Sequence, residues 1–583
     1  MEQKKFTLIN RIFSVLVLVT ASITYLMTIE PTASFWDCGE FIASSYKLEV
    51  GHAPGNPVFQ MIARFFTMFA SPEHAAMAVN IMSALCSAFT IFFLYLTIVH
   101  LGRRIIEKNG GNGTLSAGQA FSLIGAGVVG ALAYCWSDTF WFSAVEAEVY
   151  AMSSLFTAAV FWMILKWEEQ ADTEYADRWI VAIAFLMGLS IGVHLLNLLT
   201  IPAIAFVYYY KKAKKVTTWG SIGVFAVSAV ILAVVLWGII PYLPKIAALF
   251  DLLFVNVFNL PFNTGAAFFV LALLALSFWA IYFTRKKDKR IWNTVMLCFT
   301  MIVIGYSAFA MVVIRSANNT PTNEGQPDNP YALIKYLGRE QYGSTPLVYG
   351  PTFASVPIDY KESSYYTKLD GKYHKTSNPI DYVYASDSKM LFPRMHSKDP
   401  SHINFYKSYT QGRGKTIPGT EEKMPTMADN LKFFFDYQFN WMYMRYFMWN
   451  FAGRQNDLHG QVPGDPISGN WECGIDFIDK ARLGDQSEGP DYIVHNKAKN
   501  HYYMLPLLLG IIGLLYQLGK DKRNWWITFL LFFLTGIAII LYLNQSPYQV
   551  RERDYAYAGS FYVFAIWIGL AVMAVYDWLR KPF

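Results

Sequence analysis

Arg285-Lys286-Lys287-Asp288-Lys289-Arg290 puts five cations into six residues, between two apolar runs at 265–284 and 291–314. Each run is long enough to cross the roughly 30 Å hydrocarbon core of a bilayer as a helix. Working outward, further apolar runs recur near 12–29, 76–100, 119–137, 149–167, 178–195, 196–210, 217–240, 502–519, 524–544 and 560–579. With 54% hydrophobic and only 15% charged residues among 583, the chain reads as an all-α polytopic membrane protein with about twelve transmembrane helices. The pair within 178–210 is short for two crossings and fits one long bent helix or a half-depth hairpin as well.

The other basic residues fall into the same pattern. Lys4, Lys5 and Arg11 precede the first span. Arg103, Arg104 and Lys108 follow the second, and Lys211, Lys212, Lys214 and Lys215 follow the sixth. Lys520, Lys522 and Arg523 lie between the tenth and eleventh, and Arg580 and Lys581 follow the last. With twelve spans every cluster falls on one face, the cytoplasmic one, with both termini inside; removing one crossing from 178–210 would send half of them outside. The net charge of +6 comes from these flanks and does not point to nucleic acid. The first span is long and lacks a small-residue cleavage site, so it reads as a retained helix. Cys86 and Cys298 lie in spans, and Cys38, Cys135 and Cys473 show no metal-ligand spacing.

Three units follow from this: a transmembrane core over 1–314 with an outer loop at 30–75, a mixed outer segment at 315–501, and C-terminal spans at 502–583. In the outer loop, Pro54, Gly55 and Pro57 set a turn, and Val58–Phe69 is amphipathic enough to lie along the membrane surface. Residues 241–264 read as a juxtamembrane helix ending at Pro261-Phe262-Asn263. Within 315–501, helical periodicity emerges only at about 427–451, where Phe433, Phe434, Phe435, Trp441 and Phe447 predict a buried helix.

This topology gathers ionisable residues on the outer leaflet, at the level of loops rather than at mid-membrane. Asp37 and Glu40 stand in Trp36-Asp37-Cys38-Gly39-Glu40, and His52 follows in His52-Ala53-Pro54-Gly55-Asn56-Pro57. Asp138, Glu146 and Glu148 occupy the junction of spans three and four, His194 and Asn197 the turn of the short pair, Arg315 the end of span nine, and Arg551-Glu552-Arg553-Asp554 the approach to the last span. Carboxylates near lipid are costly unless used. On a helix Glu146 and Glu148 point about 200° apart, so one is expected to face the site and the other a structural partner. Each residue has a plainer reading: a helix cap for Asp37 and Glu40, a turn contact for His52, a satisfied core histidine for His194, and an ion-pair network for 551–554. A carboxylate as general base with arginines on a phosphate leaving group is the arrangement that glycosyl transfer from a polyprenyl-phosphate sugar requires. No covalent intermediate, cofactor or metal is needed. The acidic residues are compatible with a divalent cation, but no metal site is predicted from their spacing.

Trp36-Asp-Cys-Gly-Glu-Phe-Ile42 with Gly51-His-Ala-Pro-Gly-Asn-Pro-Val-Phe59, Ser143-Ala-Val-Glu-Ala-Glu-Val-Tyr-Ala-Met152, Gly188-Leu-Ser-Ile-Gly-Val-His-Leu-Leu-Asn197 and Gln549-Val-Arg-Glu-Arg-Asp-Tyr-Ala-Tyr557 together resemble a family abundant in Bacteroidota. That family includes an animal protein O-mannosyltransferase of receptor ectodomains and looks like a branch of the GT-C glycosyltransferases. The resemblance implies a GT-C-type fold in a bacterial cytoplasmic (inner) membrane with a periplasmic site. It implies Asp37 as catalytic base with Glu40 in support, and His52, Glu146, Glu148, His194, Arg551, Arg553 and Asp554 in substrate binding. The expected partners are a polyprenyl-phosphate sugar, mannose by resemblance, and Ser or Thr of an exported protein. The alternatives are a lipid or glycan acceptor, or a transporter or flippase of lipid-linked substrates. Relatives carry His-Pro-Pro-Gly where this chain has His52-Ala53-Pro54-Gly55. Many also continue into a long soluble C-terminal region, so acceptor docking is expected to fall to 315–501 or to another protein.

Overall fold

A computed structural model describes residues 3–109, 114–343, 345–487 and 489–580. Of the cations noted above, Lys581 lies outside the described residues.

All twelve apolar runs are helical. Among the described residues, nine helices are long and apolar enough to cross a membrane by length and composition. The other three runs are the short helices Asp177–Ile191, Ile201–Lys212 and Leu505–Lys520, so a count of twelve depends on these. The last helix, Ala558–Leu579, is the bundle's axis: 78% of its membrane window is buried, against 11% for Thr218–Asn256 and 6% for Thr264–Lys286 at the periphery. Small residues permit the tight centre. A Cβ on Gly130 would lie 2.7 Å from the Ala565 carbonyl oxygen, and one on Gly569 would lie 2.5 Å from that of Ala126, which brings Ala117–Cys135 and Ala558–Leu579 into backbone contact.

Ion pairs lace one end of the bundle. Arg104 reaches Glu168 at 3.2 Å, Lys108 reaches Asp521 at 2.7 Å, Lys211 reaches Asp172 at 2.8 Å, and Arg290 reaches Asp177 at 3.1 Å. Asp177 opens the first short helix, and Lys212, which closes the second, donates to the Ala171 carbonyl. The segment 177–212 therefore enters and leaves at this same basic end, as the even parity of the charge pattern demands. Its tip lies at the other end, where Val58 donates to the Gly192 carbonyl at 2.9 Å.

Two expectations are revised. Residues 241–256 are not a separate juxtamembrane helix: Thr218–Asn256 is one continuous helix, kept unbroken through a π-helical turn at Val234–Ile239 and with Pro244 inside it. A π turn absorbs an extra residue without ending the helix. The outer segment also contains more regular structure than its periodicity suggests. It holds helices Pro330–Gly338 and Pro400–Thr410 and an antiparallel hairpin of Pro357–Leu369 with Lys372–Tyr384. The expected helix at 427–451 is present, with an eleven-residue π segment, Phe434–Met444, at its centre. It packs on the last span through Phe447 against Phe564 at 4.8 Å and Phe451 against Phe564 at 4.5 Å.

Candidate active site

At the end opposite the basic lattice, the chain leaves the first span and turns at Trp36, whose φ is +64. Helix Cys38–Lys47 starts immediately afterwards. Asp37 is its N-cap, but the side chain makes no capping hydrogen bond, so the carboxylate is directed elsewhere and stays 43% exposed. The far end of this helix is anchored by Arg315, which donates to the carbonyls of Leu48 at 2.6 Å and Lys47 at 3.0 Å.

The following turn returns to the helix. Glu40 accepts from the His52 backbone N–H at 2.5 Å and pairs with His52 Nδ1 at 2.8 Å. Gly51 leaves room for this contact, since a Cβ would sit 2.5 Å from Glu40 Oε1 and displace the carboxylate. Tyr336 of the outer segment donates to the Gly51 carbonyl at 2.7 Å, and the Ala53–Pro54 peptide is cis. The hydrogen bonds to His52 hold Glu40 below the ordinary carboxylate value against its burial, and the bond to Glu40 raises His52 above its own.

Glu146 and Glu148 do not lie on a helix, which corrects the expectation that they diverge. Helix Asp138–Ala144 ends before them and Val149–Gln170 begins after them, with Glu148 as an extended N-cap at φ −119 and ψ 151. Both carboxyls consequently turn toward helix Cys38–Lys47 and Arg551. Arg551 Nη1 donates to Glu148 at 2.8 Å and Nη2 to Asp37 at 3.4 Å. Glu146 accepts from the Ser34 hydroxyl at 2.8 Å and from the Cys38 thiol at 3.7 Å. Burial raises both glutamates, and Glu146, with Glu148 beside it, is pushed up to about 8.

The charged run divides. Arg551 and Arg553 converge on the Tyr555 hydroxyl, at 3.2 and 2.6 Å, and Arg553 also donates to Gln549. Glu552 turns into the scaffold and pairs with Arg445 at 2.7 Å, while Asp554 accepts from Thr139. Tyr555 stacks on Tyr150 at 4.1 Å, and Tyr150 meets the His194 ring at 5.4 Å. His194 Nδ1 itself caps the 3-10 turn Leu195–Thr200 by accepting from the Leu196 N–H. Arg551 thus joins Asp37 and Glu148 directly, and Arg553 is one residue removed through Tyr555. Glu146 holds Ser34 and Cys38 on either side of Asp37, and His194 is two residues removed through Tyr150 and Tyr555. Glu40 and His52 form an adjoining pair, and Asp554 lies away from them. Tyr150, Tyr555, Ser34 and Cys38 went unassigned in the sequence. Tyr150 and Tyr555 stand inside motifs singled out above, two residues beyond Glu148 and Arg553.

Asp37, Glu40 and His52 offer ligand atoms within 4.8 Å of one another. Glu40 already uses both oxygens on His52, and a guanidinium faces Asp37. A divalent cation would have to compete with these partners for the same ligand atoms, which makes the trio a poor fit to one.

Residues 37–217 match the family described as the protein O-mannosyl-transferase TMEM260 N-terminal domain. Through this segment the chain is related to TMEM260. The match begins at Asp37 and takes in Glu40, His52, Glu146, Glu148 and His194. Arg551 and Arg553 come from outside this TMEM260-like segment. A second match, over 343–435, is to a family of unknown function, DUF8416. Among curated proteins, the chain is 24% identical over 178 residues to mouse protein O-mannosyl-transferase TMEM260 (30% of this chain, 23% of that protein). It is 24% identical over 204 residues to protein O-mannosyl-transferase tmem260 of Dictyostelium discoideum (34% and 22%). The aligned region spans less than a quarter of either relative's length.

Proposed function

We propose that the protein is a membrane glycosyltransferase that moves a sugar, mannose by its relatives' names, from a polyprenyl phosphate to a Ser or Thr hydroxyl of an exported protein. The basic end faces the cytoplasm and the site faces the periplasm, in a bacterial inner membrane. Asp37 takes the proton of the acceptor hydroxyl as its oxygen attacks the anomeric carbon. The bond from that carbon to the phosphate oxygen breaks, and polyprenyl phosphate leaves with the electron pair. One base and a stabilised leaving group suffice for this single displacement, without metal or cofactor.

The observation that carries this reading is the Asp37–Arg551–Glu148 cluster. It sets an accessible carboxylate beside a guanidinium that is only 8% exposed, within a segment matching an O-mannosyl-transferase domain. Arg551 aligns Asp37. Arg553 has no carboxylate within 4 Å among the described residues and is the group assigned to the donor phosphate, beside Tyr555. A guanidinium held only by neutral partners, Gln549 and Tyr555, suits that task through its bidentate donors.

The test is mannosyl transfer from a synthetic polyprenyl-phosphate mannose to an acceptor peptide by purified protein in lipid nanodiscs. Asp37→Asn is expected to abolish transfer while insertion and folding are retained. Full activity in that variant overturns the assignment of the base.

A further inference from the structure

We infer that Glu146 is a positioning residue that works as an uncharged carboxylic acid, joining Ser34 and Cys38 and so fixing the helix start that carries Asp37. The inference rests on the reading of Asp37 as the base, and it assigns Glu146 a task other than contacting substrate.

The argument begins with the cations at this end of the bundle. Arg551 is taken by Glu148 and Asp37. Arg553 is turned to Tyr555 and Gln549, and His52 is held by Glu40. Arg315 caps the far end of helix Cys38–Lys47. Among the described residues no cation is within ion-pair distance of Glu146, which is only 5% exposed and whose hydrogen-bond partners are a hydroxyl and a thiol. A buried carboxylate with no cation is the case in which a group takes up a proton rather than remain charged.

The surrounding groups divide, and those that favour the proton prevail. On its own turn lies Glu148, whose negative charge opposes a second one. From helix Cys38–Lys47 comes Cys38, a thiol held neutral by its burial, and from the preceding loop Ser34. Ionisation is favoured by the hydrogen bonds that Ser34 and Cys38 donate and by Arg551, on the segment before the last span, but Glu148 and Asp37 already share that guanidinium and burial outweighs all three. Burial and Glu148 together raise Glu146 to about 8, and the same burial raises Cys38 above an ordinary thiol.

The geometry assigns a consequence to this proton. Ser34 and Cys38 flank Asp37 in sequence, and both bond to the same oxygen of Glu146, Oε2. The acid therefore clamps the turn 34–38 from both sides. If Glu146 ionises, a second carboxylate beside Glu148 competes for the Arg551 guanidinium, and Asp37 loses its alignment. The site thus has an alkaline limit set outside the reacting groups.

Two measurements test this. Infrared spectroscopy of the intact protein near neutral pH is expected to show a protonated carboxyl band that Glu146→Gln removes. If the variant leaves that spectral region unchanged, Glu146 is ionised and the inference fails, whether or not the protein transfers mannose. The second is the pH dependence of kcat for mannosyl transfer. Wild type is expected to fall about tenfold per pH unit above its limit near 8, as one deprotonation requires. Glu146→Gln, which keeps the shape and cannot ionise, is expected to lose that alkaline limb. An identical limb in the variant overturns the positioning role, whereas loss of transfer by wild type under all conditions overturns the function proposed for Asp37 and leaves the infrared result standing.

Discussion

The guanidinium of Arg551 bridges two carboxylates from distant parts of the chain, Glu148 at 2.8 Å and Asp37 at 3.4 Å. Only a planar, forked cation serves both at once. Arg551→Lys is expected to keep one contact and reduce transfer at least about tenfold, with folding preserved. Arg551→Ala leaves Glu148 buried and unpaired and is expected to cost about 3–5 kcal/mol of stability. Transfer assays and denaturant unfolding of the two variants separate these effects.

Glu146→Gln is expected to stabilise the protein at neutral pH. The raised value, about 8 against an ordinary 4.5, means that the folded state holds a proton the unfolded state releases. Stability then falls as pH rises from the ordinary value to the folded one and is level above it. At pH 7 the cost is on the order of 3 kcal/mol, and glutamine avoids it. Denaturant midpoints should favour the variant at pH 7 and converge with wild type near pH 4.5, where the unfolded carboxyl is also protonated.

The Glu40–His52 pair instead gives a maximum in stability. His52 is raised, so its contribution is complete below its ordinary value of 6.5 and is lost as pH climbs through the folded value. Glu40 is lowered, so its share is present above its ordinary 4.5 and is lost as pH drops through its folded value. The pair is strongest between the two ordinary values. His52→Gln is therefore expected to lower the thermal midpoint most at mildly acidic pH and little in alkaline buffer. Both side chains are about a quarter exposed, and solvent screening keeps the effect to about 1 kcal/mol.

Gly188 and Gly305 let helices Asp177–Ile191 and Arg290–Tyr306 meet backbone to backbone. A Cβ on Gly305 would lie 2.4 Å from the Leu189 nitrogen, and one on Gly188 would lie 2.5 Å from the Ile302 carbonyl oxygen. Gly305→Val is expected to cost about 1–3 kcal/mol through forced separation. It should also move the His194 tip, lowering transfer without altering any polar residue of the site.

The helical runs and the shared end of the basic clusters were legible because lysine and arginine placement is a one-dimensional signal, and charge parity favoured an even number of crossings in 178–210. The site was legible as a set of residue types but not as a set of pairings. That Arg551 meets Asp37 depends on the last span being the bundle's axis, which no local pattern encodes. Glu146 and Glu148 were misplaced by assuming helix where two helices abut. Strands 357–369 and 372–384 escaped because Tyr, Lys and Ser fall on both faces, leaving no alternation to read. The π segment at 434–444 has no compositional mark, since a shift to i→i+5 bonding changes register rather than residue preference.

Helix Thr218–Asn256 has 39 residues, about 58 Å at 1.5 Å per residue, nearly twice the roughly 30 Å of hydrocarbon it must cross. Near its outer end Asp251 accepts from the Tyr373 hydroxyl at 2.7 Å, and Asn256 donates to the Tyr373 carbonyl at 2.8 Å and accepts from its N–H at 2.9 Å. The hairpin Pro357–Tyr384 is thus mounted on a post of fixed height rooted in the bilayer. The height of the hairpin is gauged by helix length, so inserting or deleting whole turns in that post is expected to reset it without touching Asp37.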